Sequence, residues 1–285
     1  MQIVSGIQEI RTALRKLRAN KNGGTVGLVP TMGALHAGHR SLIEAARVRC
    51  DIIVTSIFVN PTQFGPNEDF SRYPRTLEAD CQMLEAEGVD LVFTPTVDRM
   101  YLKGASTLIE VAGISERLDG ASRPGHFRGV ATVVAKLFHI VQPEFAFFGQ
   151  KDAAQIAVLR QMVRDLDVPV ELTVCPTVRE HDGLAMSSRN RYLSPEERTQ
   201  ALVLSRALQA AQNAAEQGEL RAEALSRAMA KCLQQQPAVR VDYIAVVDPD
   251  TLLPREDVRS GALLAIAAFV GNTRLIDNVL LPSAG

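Results

Sequence analysis

Little in this chain of 285 residues could cross-link it. Its four cysteines, Cys50, Cys81, Cys175 and Cys232, stand far apart and form no CxxC pair. That speaks against a zinc site or a disulfide framework, and free thiols are expected. Long apolar runs are also missing. Stretches such as ALLAIAAFVG (Ala262–Gly271) fall well short of the roughly 20 residues that a spanning helix needs. Dense Lys/Arg blocks are absent, and the formal net charge is −1. The whole-chain field therefore makes no case for nucleic acid or an anionic membrane as partner. Neither GxGxxG nor GxxxxGK[ST] follows a strand pattern, which argues against a dinucleotide fingerprint or a P-loop. The opening MQIVSGIQEIRTALRKLR lacks the basic-then-apolar order and cleavage site of a signal peptide. It reads as a helix with Ile7, Ile10, Leu14 and Leu17 on one face. A cytoplasmic protein is expected.

What is present is ordinary globular composition, 46% apolar and 22% charged. The first half alternates short β-branched runs with helical patterns. Strands are expected at Thr25–Pro30, Asp51–Pro61, Val89–Pro95, Pro143–Lys151 and Val170–Pro176. Helices are expected at about His39–Val48, Tyr73–Gly88, Gly129–Gln142 and Ala153–Leu166. Near-continuous apolar strands separated by helices indicate a parallel sheet covered on both faces, a doubly wound, Rossmann-like α/β domain over residues 1–176. After Pro176 the pattern changes. REHDGLAMSSRNRYL (Arg179–Leu193) reads as a polar loop without period. Ser194-Pro195-Glu196-Glu197 carries an N-cap, a proline at the first helical position and a capping-box glutamate. Two helices, about Pro195–Gln217 and Arg221–Gln235, and three short strands follow, so residues 177–285 are expected to form a smaller α+β domain.

Open parallel sheets bind ligands beyond the carboxyl ends of their strands. The first such end carries Thr31, Met32, Gly33, Ala34, Leu35, His36, Ala37, Gly38 and His39. The second carries Asn60, Pro61, Thr62 and Gln63. A later one carries Gly149, Gln150, Lys151 and Asp152, with Gln155 one turn into the next helix. Two imidazoles around a glycine at a helix start suit phosphate oxygens, since the helix amino terminus adds N–H donors and a positive dipole end. Either histidine alone would be an ordinary cap or surface group. Lys151 at a helix start is mildly unfavourable without an anion, and Asp152 reads as that helix's N-cap. Met186, Ser187, Ser188 and Arg189 offer hydroxyls and a guanidinium between the domains. SRPGHFRGV places Arg123, His126 and Arg128 before a helix, with no role assigned.

HxGH after the first strand, a late lysine and a Met-Ser-Ser-Arg loop resemble the HIGH and KMSKS elements of the nucleotidylyl-transferase superfamily. The longer strings PTMGALHAGH, FVNPTQFGPNEDFSRYPR, RPGHFRGVATVV, FFGQKDAAQ and MSSRNRYLS narrow this to a resemblance to the pantothenate synthetase (pantoate–β-alanine ligase) family. The resemblance implies ATP-dependent condensation of (R)-pantoate with β-alanine through a pantoyl adenylate, releasing pyrophosphate and AMP, with Mg2+ accompanying ATP. It implies that Met32 to His39, Gly149 to Asp152, Val178 and Met186 to Arg189 hold ATP, and that His36, His39 and Lys151 are catalytic. It gives Gln63 to pantoate and β-alanine and Gln155 to pantoate. The small carboxy-terminal domain is expected as a lid, and a homodimer is the family expectation. No Mg2+ ligand is identified, Asp80 being no more than a guess. A nucleotidyltransferase of the same superfamily, acting on another small substrate, is the alternative.

Overall fold

The computed structural model describes residues 1–66 and 68–283. Asn67, within one of the strings above, and Ala284 and Gly285, within the expected second domain, lie outside the described residues.

The first half follows its apolar pattern closely. In order it runs β1 (Gln2–Val4), α1 (Ile7–Asn20), β2 (Val26–Thr31), α2 (Ala37–Arg49), β3 (Ile52–Ile57) and α3 (Leu77–Ala86). Then come β4 (Leu91–Phe93), α4 (Val97–Met100), α5 (Asp119–Ser122), α6 (His126–Val141), β5 (Phe145–Gly149), α7 (Ala153–Asp165) and β6 (Glu171–Cys175). The strands pair in parallel, in the order β1-β4-β3-β2-β5-β6. The alternation of side chains sorts the core into two layers. Val29, Ile53, Val92, Phe147 and Cys175 point to the face that α2 and α3 cover with Leu42, Ile43, Ala46 and Leu84. Leu28, Val54, Leu91 and Ala146, all fully buried, point to the opposite face. The strand order reverses between β2 and β5, which pair at Gly27↔Phe145 and Leu28↔Ala146. That switch point lies between the carboxyl ends of β2 and β5, the position at which an α/β sheet binds ligands.

The second half continues with α8 (Pro195–Ala201), α9 (Val203–Glu216), α10 (Ala222–Leu233), β7 (Val239–Val247), β8 (Ser260–Val270) and β9 (Thr273–Ser283). Its strands form an antiparallel sheet in the order β7-β8-β9. Leu204, Ala207 and Leu208 of α9 and Leu225 and Met229 of α10 share a core with Leu264 and Ile266 of β8. The capping box forms as read: Ser194 Oγ accepts from Glu197 N at 3.1 Å, and Glu197 Oε2 accepts from Ser194 N at 2.8 Å.

By packing, the chain divides into two compact units. One comprises Met1–Ser115, Arg123–Gly149 and Val158–Pro176; the other comprises Glu116–Ser122, Gln150–Ala157 and Thr177–Gly285. Gln150 to Ala157, including Lys151 and Gln155, therefore group with the antiparallel sheet.

Four local readings change. Residues 2–4 form an edge strand beside β4 rather than the start of a helix. The expected helix Pro195–Gln217 is two, α8 and α9, with Leu202 between them at φ −60° and ψ −18°, so the axis shifts without the chain reversing. The stretch after Arg179 is not structureless: Arg179 and Ala185 form an antiparallel bridge, and Ser188–Tyr192 is a 3₁₀ turn. Lys151, expected at the end of a strand, lies instead in a 3₁₀ turn, Gln150–Asp152, that leads into α7.

Candidate active site

The turn after β2 is held from both sides. Thr31 Oγ1 donates to Ser56 O at 2.7 Å and accepts from Gly33 N at 3.2 Å. Gly33 and Ala34 then take positive φ, +84° and +51°. For alanine this left-handed conformation costs roughly 1–2 kcal/mol, so something must hold it. The Asp80 carboxylate does, with Oδ2 accepting from Ala34 N at 2.9 Å and Oδ1 from Leu35 N at 2.8 Å.

His36 follows in extended conformation as the N-cap of α2, and its histidine partner stands at the third helical position. His36 Nδ1 accepts from Gly38 N at 3.1 Å, and His39 Nδ1 accepts from His36 N at 3.3 Å. The two rings lie 4.1 Å apart between centroids, tilted by 45°. This is a capping box with imidazoles in place of hydroxyl and carboxylate. An Nδ1 that accepts carries no proton, so in each neutral ring the proton sits on Nε2. Local capping thus sets both the place of each ring and its tautomer. The cap engages only Nδ1 of each ring.

Beyond β3, Asn60 caps a 3₁₀ turn over Pro61–Gln63. The Asn60 side chain, 1% exposed, is fully used. Its Oδ1 accepts from Tyr101 Oη at 2.8 Å and Thr62 Oγ1 at 2.9 Å, and its Nδ2 donates to Gly129 O and Gln63 Oε1, each at 3.1 Å. The Gln63 Nε2 lies 3.3 Å from Met32 Sδ, a weak acceptor. With its oxygen taken by Asn60, Gln63 keeps its N–H groups as donors beside Met32. Sequence reasoning placed Asn60 at this strand end but gave it no task.

The basic string at the start of α6 also converges on Gln63. Glu68 grips Arg123 at 2.6 and 2.7 Å. Arg123 Nη1 lies 3.0 Å from His126 Nε2, and His126 Nδ1 lies 2.8 Å from the Gln63 carbonyl oxygen. An arginine can only donate, so His126 Nε2 accepts and Nδ1–H donates to Gln63 O. Burial pushes the Glu68 carboxyl up, but hydrogen bonds and charge from Arg123 hold it below its ordinary value. Helix α6 comes close enough to this turn that a Cβ on Gly129 would stand 2.3 Å from Thr62 O.

In the other unit, Lys151 lies in the 3₁₀ turn before α7, its Nζ 4.0 Å from Asp152 Oδ1. Gln155 is half-buried in the first turn of α7. Asn278 of β9 fastens this segment: its Nδ2 donates to Gln150 O at 3.0 Å and Lys151 O at 2.8 Å, and its Oδ1 accepts from Gln150 Nε2 at 3.1 Å. Its neighbour Asp277, buried, pairs with both Arg179 guanidinium nitrogens at 2.7 and 2.9 Å. Met186 N donates to Val178 O at 2.9 Å, joining the two ends of the Arg179–Ala185 bridge. Ser187 Oγ accepts from Arg189 N at 3.3 Å, and Ser188 is buried. Asn190 reaches Glu180, which Arg198 also holds at 2.7 Å. Burial raises the Glu180 carboxyl, yet the Arg198 and Asn190 hydrogen bonds bring it below its ordinary value. Asp277 and Asn278 had no signal in the sequence, being a polar pair in the middle of an otherwise largely apolar strand.

The four cysteines are free thiols. Among the described residues no helix is long and apolar enough to cross a membrane, and no group of three or more His, Cys, Asp or Glu could hold a metal ion.

Comparison with known proteins matches residues 2–280 to the family model for pantoate-beta-alanine ligase. A pantothenate synthetase from Acidobacterium capsulatum is 63% identical over 99% of this chain and 97% of its own. One from Koribacter versatilis is 55% identical over 100% of this chain and 97% of its own. Among solved structures, pantothenate synthetase from Thermus thermophilus superposes with a TM-score of 0.93 at 51% identity, covering 98% of this chain and 99% of that one. Pantoate-beta-alanine ligase from Francisella tularensis, complexed with beta-gamma ATP and beta-alanine, gives a TM-score of 0.80 at 35% identity over 98% of this chain and 97% of that one.

Proposed function

The chain belongs to the pantoate–β-alanine ligase family, and from that premise we propose how its residues divide the chemistry. It is an ATP-dependent ligase that joins pantoate to β-alanine through a carbon–nitrogen bond. The reaction runs in two steps. A pantoate carboxylate oxygen attacks the α-phosphorus of ATP, the bond to the β-phosphate bridge breaks, and pyrophosphate leaves. The β-alanine amine then attacks the acyl carbon of the pantoyl adenylate, and AMP leaves with the C–O bond electrons. The first step turns a poor leaving group into a good one, which is what ATP contributes.

His36 and His39 act on the first step as Nε2–H donors to phosphate oxygens. The reciprocal cap carries this reading, because it commits both Nδ1 atoms to backbone N–H groups and leaves Nε2 as the protonated nitrogen of each ring. Protonating either Nδ1 would set two hydrogens against each other. The rings therefore work as neutral hydrogen-bond donors, and literal proton transfer is not needed. Met32 to His39 line the nucleotide. Gly149 to Asp152 also bind it, with the Lys151 ammonium neutralising charge at the pentavalent phosphorus. Val178 meets adenine through its backbone, and Met186, Ser187, Ser188 and Arg189 engage the triphosphate. Gln63 offers its N–H groups to pantoate and β-alanine, and Gln155 binds pantoate.

Mg2+ accompanies the ATP. Such an ion keeps several waters and is bound through substrate phosphates with few protein ligands. When bound, it neutralises triphosphate charge. The enzyme works in the cytoplasm as a homodimer, the commonest symmetric assembly.

ATP–pyrophosphate exchange tests this assignment. With Mg2+ and no β-alanine, exchange should appear only when pantoate is added. Exchange without pantoate, or with another acceptor in its place, would return the chain to the nucleotidyltransferase reading.

A further inference from the structure

We infer that Asp80 is the positioning residue of the nucleotide-binding turn, a built-in anion that holds His36 and His39 in register. This deepens the function proposed above and rests on it. Asp80 lies in the first turn of α3, 46 positions from Ala34 in the chain, and is 3% exposed. Its two oxygens accept three donors: Ala34 N at 2.9 Å, Leu35 N at 2.8 Å and Thr76 Oγ1 at 3.1 Å. Consecutive backbone N–H groups turned into one concavity form an anion nest. In this protein the nest after β2 is filled by the chain's own carboxylate, so it is not the phosphate site. The phosphate donors begin one residue later, at His36.

Three further observations converge on the same clamp. Ala34 keeps φ at +51° although it has a side chain and is fully buried, so the conformation is held rather than chosen. A Cβ on Gly33 would stand 3.0 Å from Asp80 Oδ2 and 3.1 Å from Ile57 Cγ2, so glycine serves there for space as well as for its φ of +84°. The clamped Leu35 directly precedes His36, whose N–H binds the His39 ring. A shift at Leu35 therefore moves the N-cap and both imidazoles together. These three bonds to its two oxygens account for Asp80 as a brace.

The test is Asp80→Asn, which keeps the shape but turns an NH2 towards one of the two backbone N–H groups. In pantoate-dependent ATP–pyrophosphate exchange, kcat should fall more than tenfold while the KM for ATP changes less than threefold. The imidazole ¹⁵N signals of His36 and His39 should move, because their Nδ1 acceptor bonds loosen. Adding Ala34→Gly to Asp80→Asn should recover at least threefold, since glycine holds positive φ without the carboxylate. A merely destabilised core would show no such rescue. Wild-type exchange with unmoved imidazole signals, or a loss that Ala34→Gly does not relieve, overturns the inference. If Asp80→Asn does not fold, Thr76→Val removes the third hydrogen bond alone: shifted imidazole signals support the clamp, and unchanged ones refute it. If the unaltered enzyme shows no pantoate-dependent exchange, the proposed function fails by itself, and the imidazole signals still decide the clamp.

Discussion

Replacing Gly129 by alanine sets two rules of protein stability against each other. Gly129 is inside α6, where glycine costs about 1 kcal/mol relative to alanine, so helix propensity alone predicts stabilisation. The tertiary structure predicts the reverse. A Cβ there would lie 2.3 Å from Thr62 O, 2.5 Å from Thr62 C and 2.7 Å from Gln63 Cα, and all three are backbone atoms that no rotamer change can move. Either α6 or the Asn60–Gln63 turn must retreat by roughly 1 Å to restore an ordinary carbon contact. Overpacking of this kind costs about 1–3 kcal/mol, and rigid neighbours place it at the upper end. Retreat also stretches the bond from Asn60 Nδ2 to Gly129 O, 3.1 Å long in a buried setting, for a further loss of about 1 kcal/mol. After the propensity gain, the net loss is about 2–3 kcal/mol. At the usual 2–4 °C per kcal/mol for a domain of this size, the melting temperature should fall by roughly 4–12 °C. Because Gln63 rides on the same turn, the KM for pantoate should rise while that for ATP holds. Thermal unfolding and steady-state kinetics on Gly129→Ala measure both. A variant as stable as the parent, or more so, would show that the turn yields freely and that the close approach does not position Gln63.

Other consequences are sharp enough to measure. His36→Asn keeps a side chain able to cap α2 but lacks the Nε2–H donor. It should melt within about 1 kcal/mol of the parent yet lose 10²–10³ in the pyrophosphate-forming step, an expectation on the order of a lost transition-state donor; near-normal single-turnover adenylylation would remove His36 from the chemistry. Cys50, whose thiol burial pushes up to about 11, should alkylate with iodoacetamide at pH 8 roughly a hundredfold more slowly than free cysteine, and peptide mapping that finds equal rates would contradict that burial. Glu68 has its carboxyl lowered in the folded state, against burial, by Arg123. Its contribution is therefore fully present above the unfolded value near 4.5 and is lost as pH falls through the lower folded value. The acid limb of a stability–pH profile should accordingly be shallower for Glu68→Gln between about pH 5 and pH 3; identical limbs would mean that the Glu68–Arg123 pair adds nothing.

Much of this architecture was written in local pattern. Runs such as Val26–Thr31 and Ile52–Ile57 are mostly apolar at successive positions because both faces of a parallel strand are covered, and a strand with that pattern can be read without its neighbours. The Ser194 capping box and the strand-then-HxGH order are local for the same reason: every atom involved lies within a few residues. Reading failed where local rules are weak. Residues 2–4 form a strand only because β4 offers an edge, and Leu202 interrupts a helical pattern with neither proline nor glycine to announce it.

The strings around His36, Lys151 and Met186 identify the family and the reaction, since they are contiguous and each carries its own donors. How those donors are aimed is another matter. Asp80 holds Ala34 from 46 residues away, Asn278 holds Lys151 from 127 residues away, and Gly129 is glycine because of Thr62. Each is a contact between chain segments that meet only after the sheet has closed, and a lone polar residue or glycine looks the same in a sequence whether or not such a partner exists. Local sterics and apolar period are properties of a short window of chain, so the sequence alone determined the elements and the chemistry they carry. The hydrogen bonds that aim that chemistry depend on which windows become neighbours, and only the tertiary structure decided them.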